Sequence, residues 1–432
     1  MNTGAPGSRF RCVAGVIFRV LLVWTVLDRT VRWWLIRRFF QQAPPPAPEA
    51  PPSPAATGPI TVVQPILSGD PHLADTLRAN ATLATSLPVR WRWLVDRDDL
   101  PGQRLTAALL DELAATDPAC RRRIERTLTP PAPEGVNPKT YKLRLAWEDR
   151  PPGEAPPACF GVLDDDTRLL PGQLETAVAA LRSDARVGLA FGLPYYRSFG
   201  TLWAALVSTF VNRNSLWSYL PILRVSPPLT INGMFWLARP EALAACGGFR
   251  AVEGFVCDDY ALARAVRAAG YELRQTAVVH PLQTGVENAA AYDRLITRWF
   301  VFPQVSLLRH EPGRRLAWFH VLVFLPAFQF LGTLIFAAMA GGGAGRFVAA
   351  FAVQGWREAL QVHLETSYLP GAAGCGRGFV GRRMLGWAVD LLLPLQVVRA
   401  LLAPRVIVWR GHHLRLDPDG RFSYVRRRGG AP

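Results

Sequence analysis

A run of 24 residues without an aspartate, glutamate, lysine or arginine, residues 317–340, constrains the fold of this chain more than any other sequence feature. About 20 apolar residues in a helix cross a bilayer, and a helix satisfies its own backbone hydrogen bonds where water is absent. The run therefore predicts a transmembrane helix. Weaker apolar segments are expected to be embedded in the membrane or to lie at its surface: residues 13–27, 346–356 and 386–403. The number of spans stays open.

The charge of the chain suits a membrane protein better than a nucleic-acid-binding protein. The formal net charge is +16, but the arginines are spread along the chain and form no basic stripe interleaved with aromatic residues. Nucleic acid is therefore not expected as a partner. Arginines instead lie beside the apolar segments, namely Arg29, Arg32, Arg37, Arg38, Arg314 and Arg315. Because positive residues favour the cytoplasmic side, the part between these segments is expected to face the cytoplasm at a bacterial inner membrane.

The order of segments predicts four parts. Residues 1–42 are expected to form a membrane or interfacial helix. Residues 43–59 are rich in proline, a composition that is typical of an extended linker. Residues 60–310 are expected to form a globular domain, and residues 311–432 a membrane region followed by a cytoplasmic tail.

The globular part has the pattern of an α/β fold. Residues 60–67, 89–96 and 159–163 are short apolar runs, as expected of strands that are buried on both faces. Residues 71–87 have helical apolar spacing. Alternation of strands and helices predicts a mostly parallel sheet, in which ligands bind beyond the carboxyl ends of the strands.

Acidic residues follow two of these strands, and a third acidic group opens a predicted helix. The three groups are Asp96, Asp98 and Asp99; Asp164, Asp165 and Asp166; and Asp258 and Asp259. Carboxylates suit hard cations, and magnesium often binds one or two carboxylates together with substrate phosphates. Asp164 and Asp166 therefore form a candidate clamp for a metal and a nucleotide diphosphate. The alternative for each group is a solvated turn or a helix N-cap.

The only two lysines of the chain lie in one hexapeptide, NPKTYK, residues 137–142. Because the residue before a proline avoids helical geometry, Asn137 and Pro138 are expected to keep this segment in a loop. A compact ammonium suits a small target rich in oxygen atoms, whereas a guanidinium prefers a planar partner. Lys139 is therefore expected to meet a ligand, and Lys142 to face solvent and to tolerate arginine.

An ordered set of motifs extends from about residue 58 to the C terminus. In order these are SGDPHLADTLRAN, LVDRDD, VNPKTYKL, LDDDTRLLP, GLPYY, INGMFWLARPEAL, GGF at 247–249, CDDYALARAVRAAGY, TRW at 297–299 and VWRGHHLRL. This order resembles the ceramide glucosyltransferase family of inverting glycosyltransferases. The resemblance implies a GT-A-type nucleotide-sugar-binding domain with a mostly parallel sheet, joined to N- and C-terminal membrane helices.

The resemblance also implies roles for individual residues. Asp259 lies where the family has its catalytic base, and Arg298 and Trp299 lie where the family closes over the diphosphate and acceptor. Asp164 and Asp166 would hold a divalent metal, Mn²⁺ or Mg²⁺. The expected donor-binding residues are Asp96, Asp98, Asn137, Lys139 and Asp164, and whether Asp96 or Asp98 contacts the uracil or ribose stays open.

The implied reaction is transfer of a sugar from a nucleotide sugar, with UDP-glucose expected, to a lipid hydroxyl. A ceramide-like acceptor is favoured over a hopanoid, a diacylglycerol or polyprenyl phosphate. A processive polysaccharide synthase is the other alternative. The family's RxxRW motif lacks its first position, which is Leu295 here, and whether Arg294 compensates stays open. The tryptophan-bearing residues 201–231 are expected either to dock at the bilayer surface or to form a core helix.

Overall fold

A computed structural model describes residues 6–42, 58–149, 156–283, 285–372, 379–409 and 411–427. The chain divides into two compact units. The helical unit consists of Met1–Gln42, Phe199–Ser226 and Glu311–Ala403, and the sheet unit of Ala43–Ser198, Pro227–His310 and Pro404–Pro432. Residues 43–57 of the predicted linker lie outside the described residues. The predicted division into four consecutive parts stays a prediction.

The sheet unit is built on seven strands. They are β1 (Ile60–Ile66), β2 (Val89–Asp96), β3 (Ile124–Thr129), β4 (Cys159–Leu163), β5 (Val187–Tyr196), β6 (Phe235–Ala238) and β7 (Glu272–Leu282). Their order is β3-β2-β1-β4-β6-β5-β7. The pairings β1–β2, β1–β4, β2–β3 and β5–β7 are parallel, whereas β6 runs antiparallel to β4 and β5. The prediction of a mostly parallel sheet with helices is confirmed.

Buried apolar strands explain this sheet. Every residue of β1, β4 and β5 is buried, which requires packing on both faces. β1 and β4 pair in register from Ile60 with Cys159. The carboxyl ends of β1, β2 and β4 consequently lie along one edge, where two of the three acidic groups follow their strands.

Ten helices of the sheet unit follow or connect these strands. They are α2 (Leu73–Ala81), α3 (Leu100–Thr116), α4 (Pro118–Arg122), α5 (Pro138–Glu148), α6 (Gln173–Arg182), α9 (Pro240–Ala245), α10 (Asp258–Ala268), α11 (Ala289–Val305), α12 (Leu307–His310) and a 3₁₀ turn at Gly248–Ala251. The C-terminal segment adds a small antiparallel sheet of β8 (Val406–Trp409), β9 (His412–Leu416) and β10 (Phe422–Arg426). This C-terminal sheet belongs to the sheet unit and not to the helical unit.

The helical unit contains α1 (Pro6–Gln42), α7 (Leu202–Asn214), α8 (Leu220–Ile222), α13 (Gly313–Phe319), α14 (Gln329–Met339), α15 (Ala344–Tyr368) and α16 (Phe379–Leu402). Among the described residues, three helical stretches are long and apolar enough to cross a membrane: Ser8–Gln42, Gly313–Met339 and Val380–Leu402. The second contains the predicted run, with π-helical and 3₁₀ turns at His320–Phe328 that join α13 to α14. The predicted segment 346–356 lies in α15, which is not one of the three.

Two of the arginines that favoured a cytoplasmic orientation have partners inside the helical unit. Arg32 binds Asp28 at 2.7 Å and donates to the Trp217 carbonyl oxygen at 2.8 Å. Arg29 donates to Gln329 Oε1 at 3.4 Å. Both arginines are buried. Their positions are explained by packing between helices, so they add little to an argument from the positive-inside rule.

A buried ion cluster joins three further helices of this unit. Arg213 of α7 binds both Glu358 of α15 and Asp390 of α16, and Arg357 binds Asp390 at 2.9 and 3.0 Å. A Cβ at Gly386 would overlap the Arg213 and Glu358 side chains, so glycine makes room for the cluster. Residues 201–231 therefore contain a core helix, since α7 and the π-helical turn that follows it are largely buried.

Candidate active site

Two helices that begin side by side, α5 and α10, form the centre of the candidate site. Asn137 is extended (φ −66°, ψ 118°), and its side chain accepts hydrogen bonds from the backbone N–H groups of Lys139 and Thr140 at 3.0 and 3.3 Å. Asn137 also donates from its backbone N to Glu253 O at 2.7 Å and from Nδ2 to Phe255 O at 3.1 Å. It thereby ties the start of α5 to the loop before α10.

The expected loop at residues 137–142 is wrong, because this segment is the first turns of α5. Asn137 has the extended geometry that precedes a proline, but Pro138 then occupies the first helical turn. A proline is favoured there because its missing N–H has no helical partner. Both lysines consequently lie near a helix N-terminus, where a positive charge is disfavoured by the helix dipole, and nearby carboxylates offset this cost.

Lys139 binds the carboxylates of two acidic groups. Its buried ammonium lies 2.7 Å from Asp164 Oδ1 and 3.9 Å from Asp258 Oδ2, and it donates to Gly233 O at 3.3 Å. Burial alone would lower the pKa of Lys139, but Asp164, Asp258 and Asp259 together raise it above its ordinary value. Lys139 therefore stays charged and links the end of β4 to the start of α10.

Asp259 lies in the first turn of α10 against Gly233. A Cβ built on Gly233 would lie 1.8 Å from Asp259 Oδ1 and 2.4 Å from Asp259 Cγ, so only glycine admits the carboxylate in this place. Burial and repulsion from Asp258 raise the pKa of Asp259 to about 8, although the charge of Lys139 lowers it. A carboxyl group with a pKa near neutrality is suited to accepting and releasing a proton.

The three aspartates after β4 have different surroundings. Asp164 accepts from Lys139, and its backbone N donates to Met234 O at 2.8 Å. Asp166 accepts from Thr167 Oγ1 at 3.0 Å and is half-buried. Asp165 is buried and accepts from the Leu67 N–H at 2.7 Å, so it joins β4 to the end of β1.

The acidic group after β2 is divided in the same way. Asp99 is buried, caps α3 by accepting from the Gly102 N–H, and accepts from the Ser68 N–H at 2.8 Å, which is the N-cap alternative. Asp98 is exposed. Asp96 is half-buried and lies 2.8 Å from Lys142 Nζ.

The expectation that Lys142 faces solvent is wrong. Lys142 is 3% exposed, and besides binding Asp96 it donates to Ile66 O at 3.0 Å. It lies one helical turn after Lys139, on the same side of α5. The two lysines thus bind the acidic groups that follow β2 and β4, and Lys142 also reaches the end of β1.

Arg298 and Trp299 lie on α11 near Tyr196, the last residue of β5. The rings of Trp299 and Tyr196 meet edge to face with 6.3 Å between centroids. Burial and the charge of Asp166 raise the pKa of Tyr196 above its ordinary range, while Arg298 lowers it. The structure therefore brings Arg298, Trp299 and Asp166 to one place. Arg294 is exposed, and Leu295 is half-buried.

The residues at the end of β4 fit a divalent cation of the magnesium type. Asp164 and Asp166 offer hard carboxylate oxygens, although Asp164 Oδ1 is already bound by Lys139. Within the described part of the chain, no group of three or more His, Cys, Asp or Glu side chains is arranged to hold a metal. The site thus suits a cation that takes its remaining ligands from substrate phosphates and water.

Sequence reasoning missed three residues at this site. Gly233 was noticed only as part of the motif INGMFWLARPEAL, and the signal that could have identified it is a glycine in a motif that precedes the acidic helix. Lys142 was treated as solvent-facing, although both rare lysines share one helical face. Tyr196 is in the motif GLPYY and was given no role.

Comparisons with known proteins were made for the whole chain. The model of a family described as glycosyl transferase family 21 matches residues 106–422. Among solved structures, the chain is similar to the mannosyltransferase PcManGT from Pyrobaculum calidifontis, determined in complex with GDP-Man and Mn²⁺. The two chains are 16% identical, the match covers 90% of this chain and 99% of that chain, and the TM-score is 0.45.

Proposed function

The chain belongs to glycosyl transferase family 21, the ceramide glucosyltransferase family that its motifs resemble, and we propose that it transfers glucose from UDP-glucose to a ceramide-like lipid. It is a nucleotide-sugar glycosyltransferase, and three of its described helical stretches are long and apolar enough to cross a membrane. The donor sugar, the lipid acceptor and the role of each residue are our proposal.

The observation that carries the proposal is the position of Asp259 between Gly233 and the Lys139–Asp164 pair. Asp259 is a half-buried carboxyl group with a raised pKa, and Lys139 joins it electrostatically to a second acidic group at the end of β4. A proton acceptor and a cluster of charges that suits a diphosphate thereby occur at the carboxyl edge of the sheet, where α/β proteins bind ligands.

The proposed step is an in-line displacement. The acceptor hydroxyl oxygen attacks the anomeric carbon, its proton passes to the Asp259 carboxylate, and the bond from the anomeric carbon to the diphosphate breaks. The anomeric configuration is inverted because only one displacement occurs. Lys139 holds Asp164 and the start of α10 in place, and Arg298 supplies positive charge beside Tyr196 and Asp166.

A divalent cation, when bound, would neutralise the charge that develops on the departing diphosphate. Asp164 and Asp166 are the residues that would hold it, and we propose Mn²⁺ or Mg²⁺ because both prefer oxygen ligands. Asp96 is the better candidate for a contact with the uracil or ribose, since Lys142 fixes its carboxylate and Asp98 is exposed. Asn137 would act through its cap of α5.

A lipid acceptor and a cytoplasmic orientation complete the proposal. A water-soluble acceptor would not require three helical stretches long enough to span a membrane. Arg37, Arg38, Arg314 and Arg315 lie near the ends of two of these stretches, and the positive-inside rule favours the cytoplasm for them. Nucleotide sugars are available there, so we propose a catalytic centre that faces the cytoplasm of a bacterial inner membrane.

The test is transfer in membranes that contain the full chain. Membranes would be incubated with UDP-glucose, UDP-galactose or GDP-mannose, with added ceramide or diacylglycerol, and the lipids analysed by mass spectrometry. We expect hexosylceramide from UDP-glucose, no product in excess chelator, and recovery with Mn²⁺ or Mg²⁺. Product only on diacylglycerol, a hopanoid or polyprenyl phosphate would replace the acceptor, and a polymer would indicate a processive synthase.

Asp259→Asn tests the base in the same assay. The substitution removes a proton acceptor and little volume, so product formation should fall by about 10²- to 10⁴-fold while donor binding persists. Asp111→Asn on the exposed face of α3 is the matched control and should leave the rate unchanged. More than about a tenth of wild-type turnover in Asp259→Asn would remove Asp259 from the role of base.

A further inference from the structure

The C-terminal sheet contacts the loops that precede both helices of the candidate site. Its strand β10 follows the last helix of the chain, α16, by about twenty residues, yet its partners lie near residues 130 and 255. Such long-range contacts have a cost in chain entropy. A tail without a role would not need to make them.

The first set of contacts reaches the loop before α5. Tyr424 of β10 donates from its hydroxyl group to Val136 O at 3.1 Å, and Val136 immediately precedes the cap residue Asn137. Arg427 donates to Ala132 O at 2.9 Å and binds Glu134 at 3.0 Å. The end of β10 therefore fixes this loop at three points.

The second set reaches the loop before α10. The backbone N of Val256 donates to Gly420 O at 3.0 Å, and Phe255 forms a backbone bridge with Arg421. The Arg421 guanidinium also lies 5.2 Å from the centroid of the Phe255 ring. Val256 immediately precedes Cys257, the N-cap residue of α10.

Gly420 occupies a position that few other residues could take. Its φ is +88°, and a Cβ there would lie 2.9 Å from Val305 O at the end of α11. A side chain would strain the turn and displace Gly420 O from Val256. The turn between β9 and β10 therefore approaches the α10 loop and α11 closely.

The two loops are also joined to each other. Asn137 binds the backbone of Glu253 and Phe255, and Glu253 binds Arg144 of α5 at 3.2 Å. The C-terminal sheet binds both sides of this junction, each time one residue before a helix cap. A shift there is transmitted directly to Lys139 and Asp259, which lie in the first turns.

We infer that the C-terminal sheet is a positioning element of the active centre, with Tyr424 and Gly420 as positioning residues that set the starts of α5 and α10. The inference rests on the proposed function, since it concerns the alignment of Lys139 with Asp259. It predicts that the segment after the last candidate span is required for turnover and not only for folding.

The decisive variant is Tyr424→Phe, which removes one hydroxyl group and keeps the ring next to Phe422, His412 and Arg427. Val425→Ala, at the exposed neighbouring position of β10, is the matched control. We expect kcat to fall by roughly five- to a hundred-fold, because a lost hydrogen bond and a small misplacement of catalytic groups have effects of this size. Tm and the KM for the nucleotide sugar should change little.

Hydrogen–deuterium exchange of the full-length variants separates positioning from general destabilisation. Tyr424→Phe should raise exchange in residues 131–142 and leave β1 and β4 unchanged, and Gly420→Ala should raise it in residues 253–262. Val425→Ala should do neither. Unchanged exchange in both segments, wild-type kcat despite raised exchange, or a uniform rise across the sheet unit would each overturn the inference.

The exchange pattern does not depend on sugar transfer. Wild-type protein that transfers no sugar from any donor would contradict the proposed function, and the exchange pattern would still decide whether the C-terminal sheet holds the two loops. Active wild-type protein with an equally active Tyr424→Phe variant would leave the proposed function intact and remove the positioning role.

Discussion

Gly233→Ala is expected to inactivate the enzyme through Asp259. The added Cβ would lie 1.8 Å from Asp259 Oδ1 and 2.6 Å from Oδ2, whereas carbon and oxygen atoms in contact are separated by about 3.3 Å or more. The carboxylate must therefore withdraw by roughly 1.5 Å, the difference between these distances. Because a misplacement of about 1 Å can reduce turnover a hundredfold, we expect kcat to fall by at least about a hundredfold.

The assay is turnover of detergent-purified protein at saturating donor, with Tm measured in parallel. Gly285→Ala is the matched control, because its Cβ would only meet Pro71 at an ordinary 3.9 Å. Gly233 has no left-handed φ among the backbone angles of the chain, so alanine introduces no backbone strain there. The fold should therefore survive, and the loss should appear in kcat.

A double variant tests whether the effect passes through Asp259. If Gly233→Ala acts by moving the Asp259 carboxylate, it should add little to the loss already caused by Asp259→Asn, since residues that act as a unit are not additive. Wild-type kcat in Gly233→Ala, or fully additive losses in the double variant, would refute the reasoning.

Three further outcomes follow from the surroundings of the lysines and of one buried histidine. Lys142→Met should lower Tm and weaken donor use at least tenfold, because breaking a buried ion pair costs about 3–5 kcal/mol, and Lys142→Arg should also lose activity since the space beside Asp96 and Ile66 O fits an ammonium; two fully active variants would contradict this. Lys139→Arg should reduce kcat/KM for the nucleotide sugar by roughly ten- to a hundredfold, and wild-type kinetics would show that charge alone suffices. Burial lowers the pKa of His280 from 6.5 to about 3, so the unfolded chain binds more protons and the free energy of unfolding should decrease as pH falls from about 6.5, by up to about 1.4 kcal/mol per pH unit. His280→Leu should show a weaker dependence between pH 7 and 5 in denaturant titrations, and an unchanged slope would exclude this histidine as the cause.

The fold class and the general place of the site could be predicted from local patterns. Apolar strands that are buried on both faces produce runs such as β1, and their acidic ends identify the ligand-binding edge of the sheet. The roles of neighbouring aspartates could not be separated in this way. Asp165 and Asp99 bind backbone N–H groups, while Asp164 and Asp96 bind lysines, because adjacent side chains leave the backbone in different directions.

The sequence by itself determined the membrane segment at residues 317–340, the mostly parallel sheet and the family, because each depends on residue type along a continuous stretch. Only the tertiary structure decided that Phe199–Ser226 joins the helical unit, that the C-terminal sheet returns to the sheet unit, and that Lys142 is buried against Asp96. It also decided that Gly233 must lack a side chain. These features depend on atoms that are distant in sequence and meet only when the chain has folded, so no local pattern encodes them.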